Sequence, residues 1–336
     1  MGTGVSIVVP TVGRPSLATL LDALAPADGV LPYPLELILV DDRRHAGPPF
    51  AVPASLAPVT RTVPGRAAGP AAARNAGWHA AAYPWVAFLD DDVVPAADWL
   101  TALGDDLDVV PEVAGVQGRV EVPLPADRRP TDWERVTAGL AAGRWITADM
   151  AYRRSVLATV GGFDERFPRA FREDADLAYR VRRAGGTLAT GSRRVRHPVR
   201  AESPWVSLRT QRGNADDARL RRRYGPRWRE LLEIPPGRRG RHAVVAAAGL
   251  VALAAAPRHR TVAAVAGAVW LAGTVEFAAA RIAPGPRTAA EVARMVATGA
   301  LIPPLAVAYW LRGWVEAAAR PAPLTRPARP PWSDGR

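Results

Sequence analysis

Three groups of carboxylates could do chemistry, because each follows or opens a segment able to hold it in place. Asp90-Asp91-Asp92 comes straight after an apolar run, Asp41-Asp42 ends another, and Glu173-Asp174 opens a helical pattern. Adjacent carboxylates repel one another, so Asp90, Asp91 and Asp92 must be solvated, cap a helix or be neutralised by a cation. Hard oxygen ligands suit Mg2+ or Mn2+, which bind through one or two carboxylates together with substrate phosphates. The run is therefore either the holder of a metal–diphosphate or a turn capping a helix over residues 95–103. Asp41-Asp42 is either part of such a site or the polar end of a strand. Glu173 and Asp174 fall at a helix N-terminus, where the dipole favours ionised carboxylates. Asp174 is a candidate general base there, with plain N-capping as the alternative. Asp176 and Arg180, four residues apart, are expected to pair on the helix surface.

Alternating strands and helices must position these groups. Aliphatic and β-branched runs at 5–9, 35–40, 59–63 and 85–89 read as buried strands. Helical patterns begin at Ser16 and cover 70–82, 153–160 and 174–184, the last closed by Gly185-Gly186. Strands at 115–122 and 146–152 and a short helix at 132–141 complete the front of the chain. This alternation predicts an α/β fold, a mostly parallel sheet flanked by helices. Ligands collect at the carboxyl ends of such strands, where two runs place aspartates.

The chain has 336 residues, enough for about two structural units. All 44 basic residues are arginine, and there is no cysteine. Lysine Schiff bases, P-loop lysines, disulfides, thiolate metal sites and cysteine nucleophiles are thereby excluded. Residues 1–192 hold 19 Arg against 23 acids, residues 193–241 hold 15 against 5, and residues 242–336 hold 10 against 4. The front is therefore mildly acidic. The expected organisation is an α/β domain at 1–200, a basic helical collar at 201–241, an apolar Ala-rich helical region at 242–319 and a disordered Pro/Arg-rich tail at 320–336. The opening MGTGVSIVVP carries no signal-peptide pattern.

Six motifs stand in order along the chain. They are Val5-Ser-Ile-Val-Val-Pro-Thr11, Leu39-Val-Asp-Asp42, Ala73-Arg-Asn-Ala-Gly77, Phe88-Leu-Asp-Asp-Asp92, Gly161-Gly-Phe-Asp-Glu165 and Arg172-Glu-Asp-Ala-Asp-Leu177. The set resembles the family 2 glycosyltransferases, inverting enzymes of the GT-A fold, over roughly residues 4–200. The resemblance implies that Pro10, Thr11 and Asp42 hold the nucleotide base with Asp41 beside them, and that Arg74 lies near the donor. Asp90, Asp91 and Asp92 match the family's Asp-x-Asp element, with Asp92 the metal ligand and Asp91 near the ribose and the metal. Asp174, with Glu173 before it, matches the catalytic base, His197 a histidine that joins the metal in some members, and Trp145 and Asp149 the acceptor side. The turn Val12-Gly13-Arg14 departs from the family's usual residues. The Gln-x-x-Arg-Trp signature of processive members is absent, which implies single or limited sugar addition.

Arg212, Arg219, Arg222 and Arg223 can share a helix stripe with Asp216, either as a solvated face or as a surface for phosphates. The aromatics nearby form no stacking motif, so nucleic acid is not expected. Uncharged runs follow at 243–256, 261–275 and 295–311. Fourteen residues span about 21 Å, short of a ~30 Å hydrocarbon core, and Pro303-Pro304 should break or kink the third run. These are short membrane or re-entrant helices, or the packing helices of a soluble domain.

The expected function is metal-dependent, non-processive transfer of a sugar from a nucleotide-diphospho-sugar to a lipid-linked or cell-envelope glycan. The expected place is the cytoplasmic face of the cell membrane, with a soluble cytoplasmic protein as the alternative. Rival readings are a sugar nucleotidyltransferase and a membrane-tethered binding protein with a degenerate transferase domain.

Overall fold

A run of aliphatic residues with no polar alternation makes a strand buried on both faces, and the first such run forms β1 (Val5–Thr11). The computed structural model describes residues 4–319. The segment 320–336, expected to be disordered, lies outside the described residues. From β1 the chain continues through α1 (Ser16–Leu24), β2 (Leu35–Asp41), β3 (Thr60–Pro64), α2 (Pro70–Ala80), β4 (Trp85–Leu89), β5 (Val94–Pro95) and α3 (Trp99–Asp106). Then come β6 (Val113–Glu121), α4 (Asp132–Ala138), β7 (Asp149–Arg153), α5 (Arg154–Val160), α6 (Glu173–Arg183) and β8 (Thr187–Arg196). The described residues divide into two compact units, one holding residues 4–123 and 139–198, the other residues 124–138 and 199–319.

The first unit is built on an eight-stranded sheet of order β3-β2-β1-β4-β7-β6-β8-β5. Its β3-β2-β1-β4 half is parallel, whereas β7 runs antiparallel to both of its neighbours and β5 antiparallel to β8. The sheet is thus mixed. Strand order reverses at β1, so the carboxyl ends of β1, β2 and β4 flank a crevice. Side chains alternate across β1. Val5, Ile7 and Val9 pack with Leu20, Trp85 and Leu103 on one face, and Val8 packs with Ile38, Trp78 and Leu177 on the other. A Cβ on Gly77 would lie 2.2 Å from Val8 Cγ1. The missing side chain lets α2 lie close to β1.

Strand β8 carries little apolar signal, because a charged residue, Arg193, takes one of its two buried positions and Val195 the other. Arg193 is fully buried and contacts Asp106 at 2.9 Å and Asp149 at 2.8 Å, and it donates to the Val116 carbonyl at 2.7 Å. Asp149 also accepts from Trp99 Nε1 at 2.8 Å. Asp149, expected on the acceptor side, lies inside the core with both oxygens held by protein. Asp176 is likewise fully buried, and its 2.8 Å pair with Arg180 is internal, not on the helix surface as expected. The capping helix expected at 95–103 is instead β5 followed by α3.

The second unit contains α4, α7 (Val206–Arg209), α8 (Gly213–Tyr224), α9 (Trp228–Leu231), α10 (Arg239–Ala255), α11 (Arg260–Ile282) and α12 (Ala289–Ala319). Of the expected break or kink at Pro303-Pro304, the break does not occur: helix α12 is continuous through both prolines. Two missing N–H donors leave most of the bonds of a 31-residue helix in place. Helix α8 meets α12 closely, because a Cβ on Gly313 would lie 2.4 Å from Ala215 Cα. Arg219 pairs with the buried Asp216 at 2.6 Å, so the basic stripe is partly neutralised. Arg281 binds Asp132 at 2.6 Å and Thr298 at 2.7 Å, which fastens α4, α11 and α12 together. Helices α11 and α12 are long and apolar enough to cross a membrane by length and composition.

Replacing Arg193 by methionine strands two buried carboxylates. Arg193→Met is expected to destabilise the chain by about 3–5 kcal/mol in urea unfolding. A loss under about 1 kcal/mol would mean that Asp106 and Asp149 find other partners.

Candidate functional site

The carboxyl ends of β1 and β2 and the turn into α2 surround an open pocket of about 650 Å3, lined by Val12, Asp42, Arg44, His45, Gly69 and Pro168 among others. The Asp42 amide donates to the Thr11 carbonyl at 2.8 Å, which ties the two strand ends together. Asp42 Oδ2 accepts from the Gly69 amide at 3.2 Å, while its buried Oδ1 has no hydrogen-bond partner among the described residues. Gly69 has φ 96°. A side chain there would come within 2.6 Å of the Pro168 carbonyl oxygen. Asp41 is engaged differently. Arg43 grips both of its oxygens, at 2.8 and 2.6 Å, and holds its carboxyl below the usual carboxylate range. Pro10, half-buried in β1, pairs with Val40 and contributes only backbone to this edge.

The three consecutive aspartates point three ways. Asp90 accepts from Arg74 Nη2 at 2.6 Å. Asp91 is buried and accepts from Thr11 Oγ1 at 2.7 Å and from Arg14 Nη1 at 2.5 Å. Its two oxygens therefore hold β1 and the following turn. Asp92 Oδ1 stands 3.5 Å from His197 Nε2. His197 Nδ1 lies 3.3 Å from the Pro198 carbonyl; with its proton placed there, Nε2 turns a lone pair towards the Asp92 carboxylate. Two electron-pair donors facing each other suit a cation between them. Among the described residues no cluster of three or more His, Asp or Glu could hold a metal. A cation on Asp92 and His197 would need its remaining ligands from water or substrate phosphates.

Arg74, from α2, is fully buried and bridges two elements. Its Nη1 donates to Glu173 Oε1 at 2.7 Å while Nη2 holds Asp90. Arg74 Nε and Glu173 Oε2 are buried without hydrogen-bond partners among the described residues. Glu173 and Asp174 open α6 immediately after Arg172, which takes φ 78°. Asp174 is half-buried and accepts from the Ala175 amide at 2.7 Å. Trp145 has φ 62°, and its amide donates to Gln117 Oε1. The ring packs with Phe163 and Leu177, so this acceptor-side candidate forms part of the core wall. Left-handed conformations at non-glycine residues cost about 1–3 kcal/mol each and persist where the surroundings impose them.

A sequence model of glycosyl transferase family 2 matches residues 6–175, half of the chain. The chain belongs to glycosyl transferase family 2. It is 35% identical over 134 residues to a pre-mycofactocin glycosyltransferase of Mycobacterium tuberculosis, which takes in 36% of this chain and 28% of that protein. The match thus spans under a third of the curated relative's length. The mannosyltransferase PcManGT of Pyrobaculum calidifontis, solved with GDP-Man and Mn2+, aligns with a TM-score of 0.47 and 19% identity, covering 95% of this chain and 88% of its own. Glucosyl-3-phosphoglycerate synthase of Mycobacterium tuberculosis, solved with Mn2+, UDP-glucose and phosphoglyceric acid, aligns with a TM-score of 0.43 and 18% identity, covering 70% and 82%.

Within this family 2 chain, two site residues escaped the reading of the motifs. Arg14 closes on Asp91, and Asn75 uses its whole amide. Asn75 Oδ1 accepts from Trp78 Nε1 and the Phe163 amide, and Nδ2 donates to the Phe163 carbonyl and Glu165, all at 2.9 Å. It thereby fixes the Gly-Gly-Phe-Asp-Glu loop to α2. A lone arginine near the start of an acidic half was the available signal for Arg14. Asn75 lies inside a recognised motif but has no charge to suggest a role.

Burial pushes Glu173 up to about 7 from its ordinary 4.5, helped by the neighbouring Asp174 charge and opposed by Arg74. Arg74 offsets it only in part because Asp90 shares the same guanidinium. Burial also raises Asp174, against the pull of the Ala175 amide and of the Arg74 and Arg172 charges. A folded-state value above the unfolded one means that the native state holds its proton more tightly. Stability from Glu173 is therefore full below about pH 4.5 and lost as pH rises through about 7. Glu173→Gln should flatten that decline in urea titrations across this window. An unchanged slope would assign it to another group.

Proposed function

We propose that this chain transfers a sugar, with inversion, from a nucleotide-diphospho-sugar to a hydroxyl of a lipid-linked or cell-envelope glycan. The Arg74 bridge carries this reading. One buried guanidinium ties the strand end bearing Asp90 to the helix start bearing Asp174, holding a donor-side carboxylate and a candidate base in register. Asp42 Oδ1, an unpartnered buried acceptor in the pocket, suits an N–H of the nucleotide base.

Transfer runs as a single displacement. Asp174 takes the proton of the acceptor hydroxyl while that oxygen forms its bond to the anomeric carbon, and the bond from that carbon to the diphosphate breaks. The raised basicity of Asp174 favours taking the proton, and its Ala175 hydrogen bond fixes its direction. Arg14 and Thr11 hold Asp91, which keeps the turn after β1 in place beside the pocket. Asp92 and His197 are the residues that would hold Mg2+ or Mn2+. When bound, such an ion supplies positive charge against that of the diphosphate. The absence of the processive signature supports one or a few additions per encounter. The apolar α10–α12 region supports a membrane-borne acceptor, with the chain seated at the cytoplasmic face.

Thermal-shift screening of UDP-, GDP- and dTDP-sugars, with and without Mg2+ or Mn2+, tests the donor class. One class should stabilise the chain, and no shift with any of them refutes the donor reading. Asp174→Asn should keep the donor-induced shift while kcat falls by about 10²–10⁴-fold. Turnover near the parent's would remove Asp174 from the base role. With Asp92→Ala, the metal-dependent part of the shift should vanish. If it persists, the ion sits elsewhere.

A further inference from the structure

Helices α10 and α11 form a hairpin whose far half finds little to pack against. Gly249 brings α10 against Trp270, and Gly273 makes room for Val245, so the two helices are close along their shared seam. Beyond that seam Leu250 is 69% exposed, Leu253 77%, Val262 50%, Val265 61% and Leu271 55%. A contiguous apolar surface of this kind marks a docking face.

The charges around the hairpin indicate what covers it. No carboxylate occurs between Glu233 and Glu276, a stretch that contains five arginines. Arg238, Arg239 and Arg241 stand at the start of α10, and Arg258, His259 and Arg260 form the turn into α11. Among the hairpin's own residues the side chains that can carry charge are therefore basic, except Glu276, which Arg238 and Arg241 bind at 2.8 and 3.3 Å. An apolar face bounded by cations matches a phospholipid surface with anionic headgroups.

Crossing the bilayer conflicts with the same residues. The uncharged run 243–256 of α10 covers about 21 Å, against ~30 Å of hydrocarbon. A spanning α10 would draw Arg241 or Arg258 into the apolar layer or carry the whole basic turn across it. Helix α12 is not a free span either. The charged helix α8 covers its C-terminal part, where Arg219 approaches Glu316 at 3.8 Å and Arg222 lies 5.7 Å from the Trp314 ring. Lying in the plane of one leaflet satisfies every group. The leucines and valines sink below the headgroups, and all the arginines remain among the phosphates.

We propose that the α10–α11 hairpin is an in-plane anchor, seated in one leaflet of an anionic bilayer without crossing it. This rests on the membrane seat given under Proposed function and adds its geometry and its lipid requirement.

The full chain lacks cysteine, so single introduced thiols report without background. Sealed vesicles of phosphatidylcholine and phosphatidylglycerol should float the chain, and phosphatidylcholine alone should float it poorly. The paired change Leu250→Asp and Leu253→Asp should lower partitioning by at least about tenfold. Undiminished flotation would show that the hairpin is not the anchor. With vesicles bound, His259→Cys should react with an impermeant maleimide added outside, and Leu253→Cys should be protected. Labelling of His259→Cys only after detergent lysis would overturn the in-plane seat and leave membrane association standing. No flotation with either lipid would overturn both. Protection of Leu253→Cys before vesicles are added, with a dimeric mass by light scattering, would give the face to a second copy and also overturn the proposal.

Discussion

The candidate site depends on one buried cation, Arg74. Arg74 sits in the interior of an acidic half of the chain, and a buried guanidinium left unpaired would cost several kcal/mol. Asp90 and Glu173 answer it from opposite sides, with the Phe163 ring 5.5 Å from its centre. That pairing requires α2, the end of β4 and the start of α6 to meet at one place. Gly77 permits the approach of α2 to the sheet, Asn75 fastens the loop after α5, and Arg172 accepts a left-handed turn to bring Glu173 inward. The candidate base Asp174 is placed as a consequence.

Carboxylates of one chemical type acquire different uses from their partners. Asp41, Asp91 and Asp149 each have both oxygens held by arginine or by an arginine with a neighbouring donor. Asp42 and Glu173 each keep a buried oxygen without a hydrogen-bond partner among the described residues. Buried polar atoms are ordinarily satisfied, so the Asp42 oxygen, in a residue that lines the pocket, points to where a ligand completes the site. Arginine's fixed fork suits this division, since one guanidinium can hold two acceptors in a defined direction.

In the second unit the problem is apolar surface. Ala-rich helices show little contrast between faces, so their sequence reports length and helicity without telling which side is buried. Close approaches at Gly249, Gly273 and Gly313 choose the packed sides and leave the leucine and valine side chains of the hairpin facing outward. Pro303 and Pro304 remain within a continuous helix, where local propensity predicted a break or a kink.

Strand runs, helix starts and the six motifs were legible in the sequence because aliphatic periodicity and Gly, Pro or Asp punctuation act over a few residues. They were sufficient for the α/β class, for the family and for the list of candidate carboxylates. Strand β8 was not legible, since one of its two buried residues is Arg193 and burial of a charge leaves no apolar signature. Nor was the fate of each aspartate. Asp91 meets Thr11 from 80 residues away, Arg74 meets Glu173 from 99, and Arg193 meets Asp149 from 44. Only the tertiary structure decides such partners, because a hydrogen bond depends on distance in space and not on separation along the chain.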